Sequence, residues 1–351
     1  MTARGSCPIA IQTRIATPIR ASCDRPFVAG ARGGLEVEYR AAVDDVPFHC
    51  LARYLTMRRP LGSALLSLAV VALTARADAQ RAAPAVSYPG TQQYDITATG
   101  NGQKYRLLVA VPDGYTPQDT TRYSVLYLLD GHYTFPAAIA ARASMGIFKE
   151  LEDVIIVGIT DGDYAFERWF TSRWRDYTPT ANPATDSSYA RQFKMPVEQV
   201  RSGGGPAFLR AVRQDIVPFI ERRYRTTGDR GLLGHSLGGL FAAYALFAAP
   251  DLFQRFGINS PSLWWRTGDT FAAESTFAAT HSALPARVFL SVGAEEGKTM
   301  VPPMRQFGEL LANRRYKGLT LDTVVFQGES HTSVVPAMVS RTMRVLYAKK
   351  K

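Results

Sequence analysis

Short apolar runs alternate with longer amphipathic stretches from about residue 90 to the end of the chain. Eight runs predict strands: Gln93–Thr97, Tyr105–Val111, Ser124–Leu129, Val154–Ile159, Gly231–Gly234, Phe256–Ile258, Val288–Val292 and Leu319–Phe326. The middle ones are apolar almost without interruption, as strands covered on both faces of a parallel sheet must be. The first two alternate instead and are separated by Gly100-Asn101-Gly102, which predicts an antiparallel hairpin at the sheet edge. Helices are predicted over Pro206–Tyr224, Leu237–Phe247, Pro302–Arg314 and Val334–Ala348. In the first, Phe208, Leu209, Val212, Ile216, Phe219 and Ile220 recur at three- and four-residue intervals and form an apolar stripe. Thr160–Gly205 shows neither period, and a stretch that long in a compact domain is usually functional or a cap. Alternating strands and helices without repeats predict one α/β domain over residues 91–351. Its sheet is mostly parallel, with helices on both faces.

Upstream the pattern changes. Met57–Ala79 opens on Arg58 and Arg59, continues as an apolar run from Leu61 to Ala75, and closes on Ala77-Asp78-Ala79. Those are the parts of a secretory signal peptide. The run is shorter than the roughly 20 residues needed to cross a bilayer, so no stable membrane anchor is expected. The expected product therefore starts at Met57, residues 1–56 being an over-extended start, and is periplasmic or secreted. Cleavage leaves a flexible lead-in over residues 80–90.

This division reinterprets the composition. Of 351 residues, 46% are hydrophobic and 20% charged, as in a globular chain. The formal charge of +11 points toward nucleic acid or membrane. From Gln80 onward, however, 31 Lys and Arg face 24 Asp and Glu, with no basic run beyond three before the terminal lysines; no nucleic-acid partner is expected. Cys7, Cys23 and Cys50 all precede Met57, so the mature chain has neither disulfides nor thiol chemistry.

Gly231-Leu232-Leu233-Gly234-His235-Ser236-Leu237-Gly238-Gly239 carries the chemistry. A short strand runs into Gly-x-Ser-x-Gly and directly on into a helix, the context of a nucleophile elbow. The turn lifts the Ser236 hydroxyl above the sheet, Gly234 and Gly238 leave room for it, and the helix N-terminus favours a developing oxyanion. A serine hydroxyl needs a base, and the base an orienting acid. Four histidines follow residue 80. His235 adjoins the serine, but a sharp turn points neighbouring side chains apart. His281 falls in a solvated loop, and His132 follows an early strand. His331 lies between the last strand and the last helix, where catalytic groups gather in such sheets, and is the expected base. The acid follows the strand Val288–Val292 as Glu296 or, alternatively, Glu295. One oxyanion donor is the Leu237 amide. The other comes from the turn Asp130-Gly131-His132-Tyr133, as the amide of Gly131 or His132. Trp264, Trp265 and Tyr133 are the pocket candidates, with packing beside the elbow the favoured reading for the two tryptophans. Arg168, Arg173 and Arg175 could meet an acidic substrate, although surface arginines are usually solvated. No metal or organic cofactor is needed.

With these residues in place the chain resembles the α/β-hydrolase superfamily and, within it, the esterase D-like family, over about residues 90–350. The matching stretches are Tyr123–Gly131, Arg175-Asp176-Tyr177-Thr178-Pro179-Thr180, Ser260-Pro261-Ser262-Leu263-Trp264-Trp265 and Gly328-Glu329-Ser330-His331. The last two, with the Gly-His-Ser-Leu-Gly-Gly elbow, are similar to the bacterial ferric-siderophore esterase branch. The resemblance implies an α/β-hydrolase fold, Ser236 and His331 as nucleophile and base, and a glutamate from the Glu295-Glu296 loop. Asp161–Trp174 departs from it, being longer and richer in aromatics (Tyr164, Phe166, Trp169, Phe170, Trp174) than that branch leads one to expect. The expected function is hydrolysis of a small-molecule ester, of a siderophore or otherwise, through an acyl-enzyme. The same residues would serve an acyltransferase, and a non-catalytic ligand-binding protein on this fold is the reading from another class.

Overall fold

The computed structural model describes residues 86–116, 118, 120–162 and 165–349. The leader, the signal segment and most of the lead-in lie outside the described residues, as does Tyr164. One eight-stranded sheet runs in the order β1-β2-β4-β3-β5-β6-β7-β8. Its strands are β1 (Thr91–Thr97), β2 (Lys104–Ala110), β3 (Tyr123–Leu128), β4 (Val154–Thr160), β5 (Thr226–His235), β6 (Arg255–Asn259), β7 (Arg287–Gly293) and β8 (Thr320–Phe326). β1 and β2 form the expected antiparallel hairpin, with Thr91 opposite Ala110, and β2 joins β4 antiparallel. Every pairing from β4 to β8 is parallel.

Every residue of β3 and β4 is buried, because both sides of the sheet are covered. Val125 and Tyr127 enter one core, whereas Leu126 and Leu128 enter another. The second core is closed by α1 (Gly131–Gly146) and α9 (Val335–Tyr347), which pack together. The first takes α4 (Gly205–Ala211), α5 (Val217–Arg223), α6 (Leu237–Ala248) and α8 (Gly297–Arg314).

Two sequence expectations change. The single helix Pro206–Tyr224 is α4 and α5 separated by a π-helical turn at Val212–Ile216. Pro218 cannot donate to the Gln214 carbonyl and its ring crowds it, so the wider turn accommodates the proline. Thr160–Gly205 is not irregular throughout. It contains α2 (Phe166–Asp176) and α3 (Pro183–Gln192), the latter started by Asn182, whose side chain accepts from the Thr185 amide. Two further helices were unpredicted, α1 after β3 and α7 (Asp269–Ala278) after β6.

Candidate active site

Parallel strands bring their C-terminal ends to one edge, and the loops leaving that edge hold every candidate catalytic residue. Ser236 follows β5 directly with φ 63° and ψ −119°, and α6 starts at the next residue. This turn fits only without a side chain at Gly234, where a Cβ would lie 2.0 Å from the Gly238 carbonyl oxygen. The second steric requirement falls at Gly239 rather than at the expected Gly238. A Cβ on Gly238 would meet the Asp130 carboxylate at 3.3 Å, but one on Gly239 would lie 2.6 Å from the Asn259 carbonyl.

An unbroken hydrogen-bond chain runs from the serine. Ser236 Oγ is 3.0 Å from His331 Nε2, and His331 Nδ1 is 2.6 Å from Glu296 Oε2. The other carboxylate oxygen of Glu296 accepts from Ser260 Oγ and from the Gly293 amide, both at 2.6 Å. The Glu296 side chain is fully buried, whereas that of His331 is 41% exposed, so the imidazole faces solvent over a sequestered carboxylate. Burial pushes the Glu296 carboxyl up, but the hydrogen bonds from His331, Ser260 and Gly293 together hold it below its usual value. Glu295 is the structural tie between the two loops. Its backbone amide donates to the Glu329 carbonyl at 3.0 Å, two residues before His331. Ser260, with φ 40°, was invisible as a site residue; Ser260-Pro261-Ser262 stood out only through the family resemblance.

His235 is less remote from the histidine base than a sharp turn suggests. Its buried ring lies 4.6 Å from that of His331, and its Nδ1 is 3.3 Å from the Tyr133 hydroxyl. Burial, reinforced by His331 and Arg173, pushes the His235 imidazole down to about 3. Its Nε2 finds no hydrogen-bond partner, so the ring is neutral at ordinary pH.

Gly131 and Leu237 open α1 and α6, and the first amides of a helix have no intrahelical acceptor. Gly131 also lets α1 approach β4, because a Cβ there would sit 3.0 Å from the Gly158 carbonyl carbon. The His132 imidazole is turned to Asp161, with Nε2 2.9 Å from Oδ1. Asp130, in the left-handed region at φ 52°, is almost fully buried. It accepts from Arg173 Nε (2.9 Å) and Nη2 (3.1 Å), Trp169 Nε1 (3.2 Å) and the Tyr133 hydroxyl (3.0 Å).

These contacts bear on three readings. Arg173 is not a solvated contact for an acidic substrate but the buried partner of Asp130. Arg175 is paired with Asp176 at 2.7 Å. Trp265 is fully buried, edge-on to Trp174, and donates to Thr180, so it packs rather than lines a pocket. Trp264 is half-buried and stacks on Tyr189, and Tyr133 reaches both Asp130 and His235. Among the described residues no group of three His, Cys, Asp or Glu side chains could hold a metal ion.

Comparison with known proteins bears on this arrangement. A model of the family described as "Putative esterase" matches residues 98–331. The ferri-bacillibactin esterase BesA of Bacillus subtilis is 32% identical over 275 residues, which cover 74% of this chain and 90% of that protein. The siderophore triacetylfusarinine C esterase of Aspergillus fumigatus is 25% identical over 299 residues, 75% of this chain and 94% of that one. Among solved structures, the BES protein from Bacillus cereus superposes with a TM-score of 0.66 at 26% identity, covering 76% of this chain and all of that one. Siderophore hydrolase EstA from Aspergillus nidulans shares the fold at a TM-score of 0.63 and 21% identity, covering 75% and 97%.

Proposed function

This chain belongs to the "Putative esterase" family, in its siderophore esterase branch, and from that premise we propose that it is an exported serine hydrolase of siderophore esters. That it is a carboxylic-ester hydrolase follows from the family. The serine mechanism, the substrate and the export are our reading. The observation that carries the mechanism is the hydrogen-bond chain from Ser236 through His331 to Glu296.

Ser236 Oγ attacks the ester carbonyl carbon while His331 Nε2 takes its proton. The buried Glu296 carboxylate holds Nδ1–H, fixes the tautomer and stabilises the imidazolium. The carbonyl oxygen becomes an oxyanion, bound by the Leu237 amide and by that of Gly131 or His132. Collapse expels the alkoxide, which takes the proton from His331 and leaves an acyl-Ser236. Water then attacks that carbonyl as His331 removes its proton. Release of Ser236 with the same proton frees the carboxylic acid.

The siderophore assignment is supported by the names of the relatives. Export is supported by the basic and apolar segments of Met57–Ala79; among the described residues no helix is long and apolar enough to cross a membrane. The deciding experiment is hydrolysis of short-chain p-nitrophenyl esters and of a cyclic triester siderophore, followed by mass spectrometry, with Ser236→Ala alongside. We expect linear acid products that disappear in the variant. Hydrolysis that survives Ser236→Ala would overturn the mechanism, and turnover of p-nitrophenyl esters without siderophore cleavage would overturn the substrate.

A further inference from the structure

The helix α2 lies outside the Ser-His-Glu chain, yet its side chains tie together two loops that the proposed reaction must hold apart by a fixed distance. Arg173 is buried and forks onto both oxygens of Asp130. Asp130 immediately precedes the Gly131 and His132 amides. The Nη2 atom that meets Asp130 Oδ2 also reaches toward the His235 carbonyl at 3.5 Å, and His235 immediately precedes Ser236 and Leu237. A second link runs in parallel, because the Tyr133 hydroxyl donates to Asp130 Oδ2 and lies 3.3 Å from His235 Nδ1. Trp169 Nε1 completes the shell on Asp130, and the Arg173 guanidinium lies 4.8 Å from the Trp169 ring.

Each half of the oxyanion hole is therefore attached one or two residues before its donor, and Arg173 spans the two attachments. A planar guanidinium in a fork geometry fixes distance and angle together, which a lysine ammonium cannot do. We propose that Arg173 and Asp130 are a positioning pair that sets the separation between the Leu237 amide and the Gly131/His132 amides. Neither touches substrate. The inference rests on the serine-esterase reading above and adds to it the element that pre-aligns the hole. Donors must meet the oxyanion, not the ground-state carbonyl, so misplacement reduces turnover more than substrate binding.

The test compares Arg173→Met, Arg173→Lys and Asp130→Asn with the full chain on a p-nitrophenyl ester. Active serines are counted by complete labelling with a fluorophosphonate, so that kcat is expressed per labelled serine and is independent of misfolded protein. Affinity for a trifluoromethyl ketone, whose hemiketal oxyanion occupies the same hole, is measured in parallel. In Arg173→Met we expect kcat per labelled serine to fall about 10- to 100-fold, the ketone to weaken by a similar factor and KM to stay within about twofold. Arg173→Lys should recover part of both losses. Where Arg173→Met does not fold, Tyr133→Phe removes one of the two links, leaves the ion pair and should show a smaller, parallel loss. Variants with the parent's kcat per labelled serine and ketone affinity would overturn the proposal, whatever their melting temperatures. If Ser236→Ala is inactive at the same time, the pair alone fails. If Ser236→Ala hydrolyses the ester, both readings fail.

Discussion

Acid should destabilise this protein through His235, and the size of the effect follows from its surroundings. Burial, with His331 and Arg173 nearby, holds the folded-state pKa at about 3, against an unfolded value near 6.5. Between those values the unfolded chain carries a proton on this ring and the folded chain does not. Stability from this group is therefore complete above about pH 6.5 and is lost as pH falls through the window. The loss is about 2 kcal/mol at pH 5 and approaches about 5 kcal/mol below pH 3. The perturbation is His235→Asn, which cannot titrate but keeps a polar atom for the Tyr133 hydroxyl. Urea unfolding from pH 7.5 to pH 5 measures both proteins, and contributions from other titrating groups cancel in the difference. We expect the parent to lose about 2 kcal/mol more than the variant across that range. Parallel stability curves would refute the reasoning. The consequence for chemistry is that the ring against His331 stays uncharged and does not repel the imidazolium formed during turnover.

The two glutamates separate cleanly in kinetics. Glu296→Gln should lower kcat by about a thousandfold or more, because the amide cannot hold the imidazolium, whereas Glu295→Gln should leave kcat within about twofold because only its backbone is used. The reverse ranking in steady-state assays would contradict the assignment. Gly234→Ala should destabilise the protein by about 3 kcal/mol or more in urea unfolding, since the added methyl meets backbone rather than a movable side chain. An alanine variant as stable as the parent would show that the elbow can relax.

Much of what the sequence disclosed, and of what it hid, follows one physical rule. The inner strands from β3 to β7 were legible because burial on two faces leaves apolar runs, β1 and β2 because they alternate, and α6 and α9 because they bury apolar residues. α1 was missed although it buries Phe135, Ala138 and Ile139; the other missed helices bury polar groups. α2 turns Arg173 and Asp176 inward beside Phe170 and Trp174, α3 turns in Asp186 to receive the Trp174 indole, and α7 turns in Glu274 to receive Arg314 and Tyr316. Hydropathy periodicity cannot register an inward charge whose partner lies tens of residues away. The same rule governs the site. Ser236 and His331 sit at loop positions that local pattern marks, so they were legible. Ser260, Asp130 and Arg173 owe their places to contacts between separate strands and helices. The choice between Glu295 and Glu296 stayed open in sequence because both sit in one loop, and geometry brings only Glu296 to the imidazole.

β8 is the outermost strand on its side of the sheet, and none of its seven residues is fully buried. His331 hangs from the loop that leaves it. Segments with little buried surface open at a lower free energy than the whole molecule. The strand that carries the base can therefore fray while β3, β4 and β5 keep the remainder intact. Turnover would then cease on heating before the aromatic circular dichroism of the core changes, and would return on cooling without refolding. Such an enzyme wears its thermal fuse on an outer strand, and amide exchange along Thr320–Phe326 is where that fuse can be read.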